Sequence, residues 1–129
     1  MTRAGRQSFL RFMAVGLLNT GIGVATIALA SLAFKADPYM ANALGFAVGI
    51  LVGYQLNRRW TFGSSRSVLI TAPRYLVVFA VSYAINFGVL AALLRIAAVH
   101  PMVAQAAAIG SYSIAFYLLC RFVVFPDSR

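Results

Sequence analysis

The chain has 129 residues, of which 62% are hydrophobic and 10% are charged, and its formal net charge is +9. Soluble domains are about 45–50% apolar and about 25% charged, so this composition excludes an ordinary soluble domain and predicts a single integral membrane domain. A basic soluble domain would suggest nucleic acid. Here the basic residues separate long apolar runs, so we expect anionic lipids as partners and no nucleic acid.

Four apolar runs follow one another along the chain, each close to the roughly 20 residues that span a bilayer as a helix. The first run is too long for the apolar part of a cleaved signal, so we expect it to be retained. The predicted fold class is all-α, with four transmembrane helices. These helices are predicted over residues 12–34, 38–57, 75–94 and 101–120, and an extension of the fourth to residue 124 is left open.

Polar residues and prolines mark the connections between the predicted helices. Asp37 is expected to cap the second helix, with Pro38 in the first turn of that helix. His100 is interpreted as a residue that starts the fourth helix rather than as a base or a metal ligand. The longest connection begins at residue 63, and Pro73 is predicted to close it just before the third helix.

The eleven Lys and Arg residues are divided nine to two between the two sides of the predicted membrane domain. Cytoplasmic loops carry the excess of Lys and Arg, so both termini are predicted to be cytoplasmic. Lys35 and Arg95 would lie on the outer side. The cytoplasmic side would hold Arg3, Arg6, Arg11, Arg58, Arg59, Arg66, Arg74, Arg121 and Arg129.

The chain also repeats itself, because residues 11–62 overlie residues 74–125 without a gap after a shift of 63 positions. Matches of Arg, Pro and Tyr in one register are harder to obtain by chance than matches of Ala and Val. The single domain, residues 1–129, is therefore interpreted as two two-helix repeats with the same orientation. The matched pairs include Arg11 with Arg74, Pro38 with Pro101, Tyr54 with Tyr117, and Arg58 with Arg121.

The sequence lacks the residue sets of common active sites. There is no phosphate-binding glycine-rich loop followed by Lys and Ser or Thr, and neither Asp37 nor Asp127 lies within an apolar run. Cys120 is the single cysteine, which excludes an intrachain disulfide and a metal site built from cysteines. We therefore expect no enzyme activity, no metal and no cofactor.

Small and polar residues within the predicted spans suggest where helices meet. Gly45, Gly49 and Gly53 are spaced by four, which creates a face where two backbones approach closely, either within the chain or with a second subunit. Asn19 and Asn86 lie at depth in the first and third helices. Their amides would form hydrogen bonds between helices or line a polar seam for a lipid headgroup, and both interpretations stay open.

Four arginines superpose in pairs under the repeat and lie at predicted helix ends. Arg11 and Arg74 would stand at helix N-termini, where the helix dipole disfavours a cation unless a phosphate binds there. Arg58 and Arg121 would stand at helix C-termini, where the dipole favours a cation. Anchoring at the membrane surface explains all four, and a shared phosphate site is the alternative. The candidate headgroup residues beside them are Asn57, Trp60, Asn19 and Asn86.

Three motifs resemble the GtrA-like family of membrane proteins: F-M-A-V-G-L-L-N-T at 12–20, N-R-R-W-T-F at 57–62 and R-F-V-V-F at 121–125. The resemblance covers nearly the whole chain. It implies a four-helix, multi-pass protein of the bacterial inner membrane that serves cell-surface polysaccharide synthesis by flipping a polyprenyl-phosphate-linked sugar, typically undecaprenyl phosphate glucose. Cys120 departs from the family, which often has Asn there. By position, the motif residues are Asn19, Asn57, Arg58, Trp60, Phe62, Arg121 and Phe125.

The resemblance leaves two functions open. The first is a carrier that moves a polyprenyl-phosphate-linked sugar across the bilayer. The second is a non-transporting scaffold that recruits a polyprenyl-phosphate glycosyltransferase to its lipid substrate. Four thin helices hardly enclose a sugar headgroup on their own, so we expect a homo-oligomer, a dimer, with the face formed by Gly45, Gly49 and Gly53 as one candidate contact.

Overall fold

The computed structural model describes residues 2–96 and 99–128, and all the regular structure in these ranges is helical. Four of the helices are long and apolar enough to cross a membrane. The prediction of an all-α membrane domain with four spanning helices is therefore confirmed. The elements are α1, Arg3–Leu32; α2, Pro38–Leu56, followed by a π-helical turn, Asn57–Thr61; α3, Val68–Arg95; and α4, Pro101–Leu119, followed by a second π-helical turn, Cys120–Val124.

The chain divides into two compact units. The first hairpin comprises α1, α2 and the residues up to Ser64, and the second hairpin comprises α3, α4 and the residues from Ser65 to Ser128. Within the hairpins, α1 packs along α2 and α3 packs along α4. Arg129, which the charge count places on the cytoplasmic side, lies outside the described residues.

Helices α1 and α3 both begin before their apolar runs, so the predicted starts at residues 12 and 75 are wrong. Thr2 Oγ1 accepts a hydrogen bond from the Gly5 N–H at 3.1 Å, and Ser67 Oγ accepts one from the Leu69 N–H at 3.3 Å. A hydroxyl cap satisfies one of the backbone donors that a helix start leaves unpaired. The polar residues that follow each cap therefore extend the helix beyond its apolar run.

Pro73 lies inside α3 and does not close the preceding connection, which corrects the prediction for this residue. Proline disfavours helix interiors by about 3 kcal/mol relative to alanine, and for that reason the sequence pattern favoured a loop. The cap at Ser67 places Pro73 in the second turn of α3. There it supplies no N–H to the carbonyl of Leu69, one turn earlier.

The predicted caps of α2 and α4 are confirmed. Asp37 Oδ1 accepts hydrogen bonds from the N–H groups of Tyr39 at 3.0 Å and Met40 at 3.1 Å. His100 Nδ1 accepts one from the Met102 N–H at 3.2 Å, so this imidazole starts a helix as expected. Each cap precedes a proline at the first helical position, where the missing N–H has no consequence.

Helix α2 continues past the predicted end at Asn57 into a π-helical turn, and α4 continues in the same way to Val124, the extension that the sequence left open. The Phe62 N–H donates to the Asn57 carbonyl at 2.9 Å, and the Phe125 N–H donates to the Cys120 carbonyl at 2.8 Å, both five residues apart. This pattern is rare and occurs mostly as single turns, frequently at functional sites. In the first hairpin, Gly63 then adopts a φ of 57°, which ends the helix at no steric cost.

Each hairpin has its own aromatic core beneath the π-helical turn. In the first, Phe12 lies against Phe62 with ring centroids 6.4 Å apart. In the second, Tyr75 lies against Phe116 and Phe125, with centroids 5.2 and 6.5 Å away. All five rings are buried, and this burial holds the helix ends that carry the candidate site residues.

Candidate functional site

The glycine face of α2 lies buried against α1. A Cβ at Gly45 would be 2.6 Å from Ile27 Cγ1 and 3.1 Å from the Gly23 carbonyl oxygen, so only glycine fits there without a shift of its neighbours. Gly49 and Gly53 are buried on the same helix. The contact that Gly45 and Gly49 make is within the hairpin, and the association of two chains stays a prediction.

Asn19 lies where α1 faces Gly49. An ideal Cβ at Gly49 would be 3.5 Å from Asn19 Nδ2 and 3.6 Å from Asn19 Oδ1. Asn19 Oδ1 is buried and accepts no hydrogen bond from the residues that the structure describes. A buried acceptor without a donor is costly in an apolar environment, so this oxygen favours a ligand or water that carries a hydroxyl or N–H group.

Two serine hydroxyls of the second hairpin donate hydrogen bonds within their own helices. Ser82 is buried, and its Oγ donates to the Val78 carbonyl at 2.8 Å. Ser111 Oγ donates to the Ala107 carbonyl at 2.8 Å. Asn86 lies half-buried on α3, one turn beyond Ser82.

Arg11 contacts the end of α2 and does not stand at a helix N-terminus, which corrects the sequence interpretation. Its Nη1 donates to the carbonyl of Trp60 at 3.2 Å, and its Cζ lies 5.6 Å from the centroid of the Trp60 ring. The carbonyl ends of a helix attract cations, and the face of an indole does the same. Arg11 therefore fastens α1 to the π-helical turn of the first hairpin.

The same contact occurs in the second hairpin. Arg74 lies seven residues inside α3, counting from Val68, so it does not stand at a helix N-terminus either. Its Nη1 donates to the Val123 carbonyl at 3.3 Å. The two arginines and their acceptors are each 49 residues apart in the chain. Each of these arginines therefore joins the first helix of its hairpin to the π-helical turn that follows the second helix.

Arg58 and Arg121 belong to the π-helical turns, so their predicted position at the ends of the second and fourth helices is confirmed. Both side chains are half-buried. Arg121 Nη1 donates to the Tyr117 hydroxyl at 3.0 Å, and its Cζ lies 6.0 Å from the centroid of the Phe122 ring.

Asn57 and Thr61 form a buried polar pair inside the first π-helical turn. Thr61 Oγ1 donates to Asn57 Oδ1 at 2.9 Å, and both residues are 3% exposed. In the second turn, the corresponding places hold Cys120 and Val124, both fully buried. Asn57 is therefore a packed residue of the turn.

Arg59 and Trp60 are the exposed residues of the same turn. Trp60 is 48% exposed, although Arg11 lies over its ring. Arg11, Arg58 and Arg59 are thus associated with one helix end. The first hairpin has a single acid, Asp37, which caps the opposite end of α2. This end of the first hairpin therefore has three guanidinium groups and no acid from its own hairpin.

The role of Asp127 was missed in the sequence. Its Oδ2 accepts hydrogen bonds from Ser65, from the N–H at 3.0 Å and from the hydroxyl at 3.3 Å. Its Oδ1 lies 3.9 Å from Arg66 Nε. The signal was present, because Asp127 is the single acid in the second half of the sequence, but its partners are about 60 residues away in the chain.

Comparison with known protein families supports the interpretation of the motifs. The family model described as GtrA/DPMS, transmembrane domain, matches residues 11–125. This match confirms the resemblance to a GtrA-like family. Comparisons with curated proteins and with solved structures found no match.

Proposed function

Because the chain belongs to the GtrA/DPMS transmembrane-domain family, we propose that it flips a polyprenyl-phosphate-linked sugar across the bacterial inner membrane. Membership of the family implies a part in handling polyprenyl-phosphate sugars. Undecaprenyl phosphate glucose is the substrate that we propose, for use in cell-surface polysaccharide synthesis. In this proposal the chain is a carrier, not an enzyme, and it needs no cofactor.

The observation that carries this proposal is the positive end of the first hairpin. Arg11, Arg58 and Arg59 lie at or contact one helix end, beside the exposed ring of Trp60. No acid of this hairpin lies there. Guanidinium groups bind phosphate through parallel N–H donors, and an interfacial indole lies at the depth of lipid headgroups. A lipid with an anionic sugar-phosphate headgroup fits this chemistry.

Moving such a headgroup through hydrocarbon is unfavourable because its charge and hydroxyl groups lose water. The buried oxygen of Asn19 offers one acceptor within the span. The chain has no nucleotide-binding motif, so we propose that transport follows consumption of the lipid outside. The membrane potential would assist, since an anion moving outward gains about 2.3 kcal/mol per charge per 100 mV.

We further propose that both termini are cytoplasmic and that the two hairpins are parallel repeats with an offset of 63. The charge distribution supports the orientation. Two features support the repeat. Arg11 and Arg74 make the same kind of contact, the two π-helical turns end the second helix of each hairpin, and the members of each pair are 63 positions apart. Parallel repeats are related by an axis along the membrane normal in known transporters.

A scaffold that recruits a membrane glycosyltransferase is the second candidate. It is favoured by the exposed helix surfaces, since at most 28% of the most apolar stretch of each membrane-spanning helix is buried within the chain. The remaining surface is available to lipid, to a partner enzyme or to a second copy in a homodimer. A scaffold would need the same lipid to be near its enzyme, but it would not need to move it.

Purified protein in vesicles distinguishes the two candidates. Proteoliposomes of phosphatidylcholine would carry undecaprenyl phosphate glucose labelled in the sugar, and a glucose-modifying reagent outside would measure the accessible fraction over time. The carrier predicts faster exchange between leaflets than in protein-free vesicles. Normal binding of the labelled lipid without faster exchange would refute the carrier and favour the scaffold.

A further inference from the structure

Two amide side chains lie on exposed surfaces of membrane-spanning helices. Asn42 belongs to α2 and Gln105 belongs to α4, and the two residues are 63 positions apart, so they match under the repeat. Both residues are exposed, and neither amide forms a hydrogen bond with another residue that the structure describes. A polar side chain that faces hydrocarbon without a partner is unfavourable, so each amide needs a partner from outside the chain.

The residues around the two amides form matching exposed surfaces. In each helix a large side chain lies three positions before the amide, an alanine follows it directly, and a second large side chain lies four positions after it. Residues three and four apart share one side of a helix. The large side chains are 54–89% exposed. We name these surfaces the amide faces: Tyr39, Asn42, Ala43 and Phe46 on α2, and Met102, Gln105, Ala106 and Ile109 on α4.

Helix length places both amides inside the hydrocarbon layer. The two spans, Pro38–Thr61 and Pro101–Val124, have 24 residues each. At about 1.5 Å per residue each span is about 36 Å long, against about 30 Å of hydrocarbon. A centred span therefore extends about 3 Å beyond the hydrocarbon at each end. Each amide follows the first helical residue by about 6 Å, so it lies about 3 Å inside the hydrocarbon at the end opposite the π-helical turn.

We propose that the amide faces are the surfaces through which two copies of this chain associate, with each amide bonded to an amide of the second copy. Copies that are inserted in the same orientation meet only at equal depth, and an amide of one copy therefore meets an amide of the other. Each amide has a carbonyl acceptor and N–H donors, so two amides form a reciprocal pair of hydrogen bonds. Asn and Gln join helices in membranes, and small residues beside them allow close approach.

A second copy fits these faces better than the other available partners. The glycine face of α2 is occupied by α1 within the hairpin, so it does not provide the contact between chains. Acyl chains of lipids carry no group that bonds to an amide. An unrelated enzyme would need a polar residue at the same depth, whereas a second copy supplies one by symmetry. This inference goes beyond the proposed function, and it holds whether or not the chain moves lipid.

Energy transfer between labelled copies measures the association. The full-length protein would be placed in phosphatidylcholine vesicles, with donor and acceptor dyes on a cysteine that replaces Lys35 in a Cys120→Ala background. Dilution with lipid then gives the dissociation constant of the dimer. Asn42→Leu and Gln105→Leu should each raise this constant about three- to thirtyfold, the range that hydrogen bonds between membrane helices supply. The double variant should associate more weakly than either single variant.

Two hydroxyl residues provide the matched controls. Thr20 Oγ1 and Ser111 Oγ donate to carbonyls of their own helices, at 3.0 and 2.8 Å. Thr20→Val and Ser111→Ala should therefore leave the dissociation constant unchanged. A wild-type protein that stays monomeric in the vesicles would overturn the inference and leave the amide faces to lipid or to a glycosyltransferase. Association of both leucine variants with the wild-type constant would overturn it as well.

Cysteine cross-linking tests the same contact without removing the apolar residues around it. A disulfide needs two Cα atoms about 4.4–6.8 Å apart. In the background without Cys120, Asn42→Cys alone, Gln105→Cys alone or a mixture of the two should form a covalent dimer on oxidation. Leu44→Cys is the control, because it lies at nearly the same depth but about 160° around α2 from Asn42. No disulfide in any of the three samples, or equal cross-linking of Leu44→Cys, would overturn the inference.

Discussion

Replacing Gly45 with alanine tests whether α1 and α2 approach as closely as the first hairpin requires. The added Cβ would lie 2.6 Å from Ile27 Cγ1, 3.0 Å from Ile27 Cδ1 and 3.1 Å from the Gly23 carbonyl oxygen. The isoleucine side chain has to shift, and the carbonyl belongs to a helix backbone, which gives way less easily. The two helices must therefore separate by a few tenths of an ångström.

The size of the effect follows from two opposing terms. Overpacking a well-packed site costs about 1–3 kcal/mol, and the better helix propensity of alanine returns about 0.5–1 kcal/mol. Gly45→Ala should therefore lower the free energy of unfolding by up to about 2.5 kcal/mol. Trp60 is the single tryptophan of the chain, so its fluorescence reports unfolding of this hairpin during titration from mild detergent into a denaturing one.

Gly21→Ala is the matched control, because Gly21 is an exposed residue of α1 and its Cβ would meet no atom within 4 Å. This variant should be as stable as the wild type or more stable. Adding Ile27→Ala to Gly45→Ala should recover part of the loss, which a double-mutant cycle measures as a favourable coupling. If Gly45→Ala is as stable as Gly21→Ala, the close approach of α1 and α2 is refuted.

Three further predictions concern topology, the polar turn and the arginines. In a Cys120→Ala background, a cysteine at Lys35 should react with an impermeant thiol reagent added outside and a cysteine at Ser65 should not; the reverse labelling would contradict cytoplasmic termini. Thr61→Val removes the donor to Asn57 Oδ1, so it should lower the free energy of unfolding by about 1–3 kcal/mol, measured by the same Trp60 titration. Thr61→Ser is the control because it retains the hydroxyl. An equal loss in both variants would argue against the hydrogen bond. Arg58→Lys should insert and fold normally but bind undecaprenyl phosphate glucose about tenfold more weakly, because lysine lacks the fork of parallel donors. Arg121→Lys should be milder, and wild-type binding by Arg58→Lys would return this arginine to a role in membrane anchoring.

The spans and two of the caps were predictable because their causes are local. An apolar run of about 20 residues has few alternatives to a membrane helix, and Asp37 followed by Pro38 combines a side-chain acceptor with a residue suited to the first turn. The true starts of α1 and α3 were missed. Thr2 and Ser67 lie in polar stretches that read equally well as loop, and the apolar pattern ends before the helix does.

The contacts that define the candidate site were less predictable. The bond from Arg11 to the Trp60 carbonyl joins residues 49 positions apart, and it depends on the crossing of α1 and α2 rather than on either local sequence. The π-helical turns depend on a shift of backbone hydrogen bonds that apolar periodicity does not reveal. The position of asparagine, arginine and tryptophan at the end of the second helix was nevertheless predictable from the motif at 57–62, and the binding of an anion by these residues stays a prediction.

The central claim is that this chain alone moves a lipid-linked sugar phosphate, and relative flipping rates test it most directly. Proteoliposomes would contain both undecaprenyl phosphate glucose and a phosphatidylcholine carrying a short labelled acyl chain. The account predicts that the purified protein accelerates leaflet exchange of the sugar phosphate and leaves that of phosphatidylcholine at the protein-free rate. Exchange of the sugar phosphate at the protein-free rate, or equal acceleration of both lipids, would contradict it.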